Sequence, residues 1–265
     1  MKKLLNKELR KKIAWMTWHS KEGHIPSAFS ILDIVHYLYN NFMNFDPKNL
    51  LMEDRDYFIL SKGHGCSALY SVLNQFNVLS EDDLLEKNNE KAKLATHPDS
   101  TKIPGIEAST GSLGNGIGFA LGISLGLKIK KRKNRVFVII GDAESNEGTV
   151  WECALLASHL NLNNLCVILD NNHSCDPTLP MPEPSKKWES FGWHTQEIDG
   201  HNIEEINNSF NSIDFNFSKP KIIIANTIKG KGVPDMEENY GAWHSKVPND
   251  QELEKIYKEI DNYEQ

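Results

Sequence analysis

Two short stretches constrain the fold of this chain more than any other feature. Arg135-Val136-Phe137-Val138-Ile139-Ile140 and Leu165-Cys166-Val167-Ile168-Leu169 stay apolar and largely β-branched without interruption. A strand with one wet face would alternate, so an unbroken run implies a strand covered on both faces, as in a parallel sheet between helices. Tyr57-Phe58-Ile59-Leu60 and Lys221-Ile222-Ile223-Ile224-Ala225-Asn226 read the same way. Between them lie helical patterns. Residues 3–20 and 29–43 repeat apolar positions at helical spacing, and 65–76 and 80–88 do so more briefly, the last opened by Ser80 with Asp83 three positions on as a capping-box variant. Further helices are expected from about Thr149 to Leu160 and over about 249–261. Strands alternating with helices predict an α/β fold with a doubly wound, mainly parallel sheet and helices on both faces. A chain of 265 residues accommodates this as one large domain, with an N-terminal helical arm over about 1–50 and a C-terminal helix. Only an asparagine-rich patch near 207–216 has the look of low complexity.

Charge and composition exclude several function classes. The net charge is −7 and the one basic run, Lys128, Lys130, Lys131, Arg132 and Lys133, is read as capping the negative end of a helix and not as a nucleic-acid patch. Met1-Lys2-Lys3-Leu4-Leu5-Asn6-Lys7-Glu8 is too soon interrupted by charge for a signal peptide, and no apolar run approaches the ~18 residues of a membrane span. Cys66, Cys153, Cys166 and Cys175 show no Cys-x-x-Cys spacing and are expected to be reduced, mostly buried thiols of a cytoplasmic protein.

In open parallel sheets ligands sit beyond the carboxyl ends of the strands. Two of the buried strands end in oxygen donors, Asp142 after the first and Asn172 after the second. A carboxylate and an amide oxygen suit a hard cation, Mg²⁺ or else Ca²⁺ or Mn²⁺, which keeps water and bridges to phosphates. Gly141 lets the backbone approach a diphosphate, and the helix that follows offers its positive end. Gly111-Ser112-Leu113-Gly114-Asn115-Gly116 leads into a helix bearing Gly118, Ala120, Gly122 and Gly126. Each helical glycine costs about 1 kcal/mol relative to alanine, so this helix is expected to pack very closely against a neighbour or a ligand. The segment lacks the Gly-x-Gly-x-x-Gly spacing and the preceding strand of a dinucleotide-binding fold.

Gly141-Asp142 followed by Asn172 resembles the thiamine diphosphate motif, usually Gly-Asp-Gly through to Asn-Asn. Three more segments resemble transketolases: Glu22-Gly23-His24-Ile25-Pro26-Ser27, Ser61-Lys62-Gly63-His64-Gly65 and Ser109-Thr110-Gly111-Ser112-Leu113-Gly114-Asn115-Gly116. Glu237-Glu238-Asn239-Tyr240-Gly241-Ala242-Trp243-His244 resembles the family's histidine-bearing loop, and the match runs in order from about 8 to 248. The resemblance implies a single diphosphate-binding domain using thiamine diphosphate and a divalent metal. Asp142 and Asn172 would hold the metal, with the Ser174 carbonyl as third ligand. Gly141 and Ala143 would line the diphosphate. His64 and His244 would contact diphosphate and sugar, and His24 and His97 the substrate carbonyl and hydroxyls. Gly111 and Leu113 would touch the aminopyrimidine through their backbone, and Glu147 would lie at an interface between protomers. Histidine suits proton transfer near neutral pH, whereas stabilising the carbanion belongs to the cofactor. His19, His36, His159, His173, His194 and His201 are read as ordinary polar residues.

The family's activating glutamate lies on a following pyrimidine-binding domain, for which nothing after Val247 leaves room. The resemblance therefore implies the N-terminal subunit of a split transketolase, transferring a two-carbon ketol unit from a ketose to an aldose with a separately encoded partner, as a heterotetramer acting on sugars or sugar phosphates. Alternatives are a deoxyxylulose phosphate synthase-like or 2-oxo acid dehydrogenase-like subunit, disfavoured by His64, His97 and Trp243-His244, or a degenerate non-catalytic paralogue, disfavoured by intact Asp142 and Asn172. Two departures from the pattern are Ala143 in place of the third motif glycine, which disfavours positive φ, and Asp176-Pro177 with Pro180, Pro182 and Pro184 after the metal motif. They suggest a specialised relative using an unusual sugar.

Overall fold

Five strands, Tyr57–Leu60 (β1), Val136–Gly141 (β2), Leu165–Asn171 (β3), His194–Asp199 (β4) and Lys221–Asn226 (β5), form one sheet in the order β1-β2-β3-β5-β4. Every neighbouring pair is parallel, in a computed structural model that describes residues 5–89 and 92–263. Residues 3 and 4 of the first expected helix, and the extreme ends of the 1–265 span, lie outside the described residues.

Successive side chains of β2 and β3 alternate between two apolar cores. Phe137, Ile139, Cys166 and Ile168 enter one, which is closed by Lys7–Ser20 (α1), Ile25–Tyr37 (α2), Cys66–Gln75 (α3), Ile203–Asn211 (α8) and Asp250–Asn262 (α10). Val136, Val138, Ile140, Val167 and Leu169 enter the other, closed by Gly116–Ile129 (α5), Gly148–His159 (α6) and Pro184–Ser190 (α7). All thirteen residues of β2 and β3 are buried, which is why neither strand alternates in sequence. Cutting one of these central side chains back to alanine leaves a cavity and costs about 2–5 kcal/mol.

The elements depart from the sequence expectations in instructive ways. β4, Ile198 apart, is polar and half exposed, an edge strand whose register is set by β5 and not by its own apolar pattern. The asparagine-rich patch is mostly helix α8: Asn202 caps it by accepting from the Glu204 and Glu205 N–H groups, and Ile206 and Phe210 are its buried face. The expected 29–43 helix starts earlier, at Ile25, with Pro26 in its first turn where a missing N–H costs nothing. It is prolonged by a π turn over Leu38–Phe42. The expected 80–88 helix is only Glu81–Leu85 (α4), although Ser80 and Asp83 do form a reciprocal capping box. From the basic run, Lys128 donates to the Leu160 and Asn161 carbonyls beyond the end of α6, a capping role as expected. All four cysteines are free. No helix among the described residues is long and apolar enough to cross a membrane.

Candidate functional site

The carboxyl ends of β2 and β3 meet in register, Gly141 opposite Asp170. The residue after each strand's pairing is an oxygen donor, and Ser174 links the two. Asp142 Oδ1 accepts from the Ala143 N–H at 2.7 Å and from Ser174 Oγ at 3.1 Å, while Asn172 Oδ1 accepts from the Ser174 N–H at 3.1 Å. Asp142, Asn172 and Ser174 line one cavity of about 390 Å³. Ala143 opens a short 3-10 turn with ordinary right-handed backbone, so replacing the usual glycine leaves no strain in this loop. The next residue, Glu144, is a buried clamp. Its carboxylate accepts from Ser61 Oγ, from the Gly114 N–H at 2.9 Å and from the Gly141 N–H at 2.9 Å, tying the end of β1, the glycine loop before α5 and the tip of β2 into one floor. Burial pushes the Glu144 carboxyl up despite these donors.

Three histidines from distant parts of the sequence converge over that floor. The ring centroids of His24 and His64 are 5.4 Å apart, His24 and His244 4.9 Å, and His64 and His244 5.9 Å. His97 lines the same cavity and packs on Gly111, where a Cβ would meet the ring at 3.0 Å. His24 adopts φ 77°, ψ 20°, left-handed backbone that is rare for a bulky residue and is characteristic of functional loops. Burial, followed by the nearby His244 and His97, pushes His24 down to about 4, and burial with the Lys62 ammonium takes His64 to about 2. His97 and His244 are also lowered, chiefly by burial. All four are neutral at pH 7, each with one ring nitrogen able to donate and one able to accept.

Two buried lysines complete the cavity. Lys62 ion-pairs with Asp170 at 2.5 Å. Lys229, in the loop after β5, has no carboxylate partner among the described residues' ion pairs; burial and then the Lys62 charge bring it down to about 8. Its loop is anchored on both sides. Thr227 Oγ1 donates to Asp170 Oδ1 at 2.5 Å, and the Ile228 N–H donates to His201 Nε2 at 2.9 Å. His201 in turn bonds Asp33, which pairs with Arg10.

Of the expected site residues, all but Glu147 line this cavity, with Gly111, Leu113, Gly141 and Ala143 on its walls. Glu147 is exposed beside Gly114. Sequence reasoning gave no role to Lys62, Ser27, Glu144, Asp170 or Lys229. Lys229 had a usable signal, since it follows the carboxyl end of β5 just as Asp142 and Asn172 follow theirs. A cation with a phosphate chain fits these residues. The donors are oxygens, only one is a carboxylate, and among the described residues no cluster of three His, Cys, Asp or Glu side chains could cage a metal unaided, so an ion here would share its shell with water and phosphate oxygens. Ser27 Oγ and His24 Nδ1 line the cavity buried without a hydrogen-bond partner, as polar atoms do where a polar ligand binds.

Residues 14–261 match the family model described as transketolase, thiamine diphosphate binding domain. The chain belongs to the transketolase family. One of the two named chains of an apulose-4-phosphate transketolase from Actinobacillus succinogenes is 36% identical over 260 residues, covering 96% of this chain and 94% of that protein. The 6-deoxy-6-sulfo-D-fructose transketolase subunit SqwG of a Clostridium species is 36% identical over 233 residues, 85% of this chain and 84% of the relative. A solved transketolase from Leishmania mexicana superposes with a TM-score of 0.85 at 24% identity, covering 96% of this chain. This transketolase-family chain spans 40% of the length of that protein.

Proposed function

We propose that this chain is the diphosphate-binding subunit of a two-chain transketolase-type enzyme, moving a two-carbon ketol unit from a ketose to an aldose with thiamine diphosphate and Mg²⁺. Residues 1–265 then form one diphosphate-binding domain with its helical arm and C-terminal helix, and sugars or sugar phosphates are the substrates. The observation that carries this reading is the convergence of His24, His64, His97 and His244 on the cavity that also holds Asp142 and Asn172. Asp142, the Asn172 amide oxygen and the Ser174 carbonyl hold the metal. Lys229 and neutral His64 donate to the diphosphate, whose charge would otherwise be costly to bury. Gly141 and Ala143 line it, and the backbone of Gly111 and Leu113 touches the aminopyrimidine. Thiamine diphosphate supplies the electron sink for carbon–carbon cleavage when bound. His24, His97 and His244 hold and move protons at their ring nitrogens, between substrate hydroxyl and carbonyl oxygens.

A separately encoded partner supplies the pyrimidine-binding domain, and two chains of each kind assemble in the cytoplasm. Support comes from the relatives named as transketolase subunits and from the outer face of α5. A Cβ at Gly122 or Gly126 would meet nothing within 4 Å, and Phe119 beside them is 50% exposed. Gly122 and Phe119 line a groove of about 790 Å³ with Ile123 and Asn115. The expected close packing is thus seen within the chain only at Gly116, where a Cβ would fall 2.5 Å from Ser61; the remaining glycines leave room for another polypeptide, and Glu147 lies at that boundary. The test is ketol transfer by the chain mixed with a pyrimidine-domain partner, thiamine diphosphate and Mg²⁺. Activity only in the mixture supports the proposal, and ketol transfer by the chain by itself refutes the two-chain arrangement.

A further inference from the structure

Asp170 lies behind the site, fully buried at the end of β3, and it receives four side-chain hydrogen bonds. Its Oδ2 accepts from Ser30 Oγ at 2.8 Å, Lys62 Nζ at 2.5 Å and Asn172 Nδ2 at 2.8 Å, and its Oδ1 from Thr227 Oγ1 at 2.5 Å. The donors come from α2, from the turn after β1, from the metal motif and from the loop that carries Lys229. One carboxylate thereby ties together four separate walls of the cavity.

The bond to Asn172 has the largest chemical consequence. A side-chain amide presents oxygen on one edge and NH₂ on the other, and only the oxygen can bind a cation. An ionised carboxylate accepts hydrogen bonds and donates none, so Asp170 takes the NH₂ edge. On the opposite edge the Ser174 N–H donates to Asn172 Oδ1 at 3.1 Å, and a donor there requires oxygen. The two neighbours specify the same orientation and leave the second lone pair of Oδ1 for a ligand in the cavity.

We propose that Asp170 is a positioning residue that locks the Asn172 amide with its oxygen toward the cation, and that the same carboxylate holds Lys62 and, through Thr227, the Lys229 loop against the phosphate side of the cavity. The inference rests on the metal- and diphosphate-binding reading above. It treats the metal motif as three residues, with Asp170 acting through Asn172 and touching no ligand itself.

The experiment titrates Mn²⁺ into the full chain with its partner and thiamine diphosphate, and reads bound metal by electron paramagnetic resonance. Asp170→Asn can offer Asn172 an NH₂ edge in place of an acceptor, so the amide is free to turn. Metal affinity is expected to fall about 10- to 100-fold, the usual effect of removing a group that orients a ligand. The double variant Asp170→Asn/Asn172→Asp keeps the net charge and places at 172 a group with oxygen on both edges, which needs no orienting. It is expected to recover most of the loss, which damaged folding would not allow. Unchanged affinity in Asp170→Asn, or a double variant no better than the single one, overturns the proposal. Should Asp170→Asn fail to fold, hydrogen exchange of the Asn172 side-chain NH₂ in the unsubstituted chain decides. Exchange slower than that of surface amides is expected, and exchange at the rate of a free amide overturns the assignment. A chain that binds no Mn²⁺ with thiamine diphosphate would refute the proposed function, and the exchange measurement would still judge the role of Asp170.

Discussion

The imidazoles of His24 and His244 sit 4.9 Å apart at 72°, although one comes from the start of the chain and the other from near its end. The contact is possible because the residue before His24 has no side chain. A Cβ on Gly23 would fall 2.4 Å from the carbonyl carbon of Ser245, and backbone cannot yield as a flexible side chain does. Gly23→Ala must therefore separate the two histidine loops. Overpacking of this kind typically costs about 1–3 kcal/mol. A thermal melt is expected to show that modest loss, with a much larger loss of cofactor affinity in a binding titration.

The depressed histidines impose a pH dependence on stability. His24 lies at about 4 in the folded chain, below the ordinary value of about 6.5, so the unfolded chain binds its proton more readily. Its contribution is complete above about pH 6.5 and is lost as pH falls from there towards 4; His64, pushed lower still, acts in the same sense. The melting temperature is expected to fall between pH 7 and 5, and to fall less steeply in His24→Gln/His64→Gln.

How much of this was visible in the sequence depends on what each residue faces. β2 and β3 were legible because both of their faces are covered, which leaves unbroken apolar runs. β4 was not, because an edge strand such as His194-Thr195-Gln196-Glu197 borrows its order from β5. In α8 the asparagines at 207, 208 and 211 masked two buried residues, Ile206 and Phe210. At the site, Asp142, Asn172 and the four histidines were legible from their motifs. Asp170 and Glu144 were not, since a buried carboxylate is identified by the donors that gather on it, and those donors come from other parts of the chain. Lys62 stands within a recognisable motif, yet its role depends on Asp170.

Lys229 should make phosphate binding sensitive to alkali. With the free chain's ammonium lowered to about 8 by burial and the neighbouring Lys62, affinity for thiamine diphosphate with Mg²⁺ is expected to decline as pH rises through about 8. Lys229→Gln removes a charged hydrogen bond worth about 1.5–3 kcal/mol and should abolish that decline along with roughly 10- to 100-fold of affinity. Calorimetric titrations at pH 7 and 9 on both chains check this.

The outer face of α5 separates folding from assembly. Gly122 has no neighbour within 4 Å of a built Cβ, so Gly122→Leu is expected to stabilise the isolated chain by up to about 1 kcal/mol through helix propensity. The same side chain would fill the groove beside Phe119 and weaken association with the partner. A melt and a sedimentation experiment on one sample should move in opposite directions.

The most direct test of the account is the effect of Asp142→Ala on metal-dependent cofactor binding by the chain in complex with its partner. Calorimetric titration of thiamine diphosphate in the presence of Mg²⁺ is expected to show binding in the unsubstituted complex and its loss in the variant, with the melting curve of the variant otherwise preserved. Equal, metal-dependent binding by both would contradict the claim that the paired tips of β2 and β3 hold the cation that anchors the diphosphate.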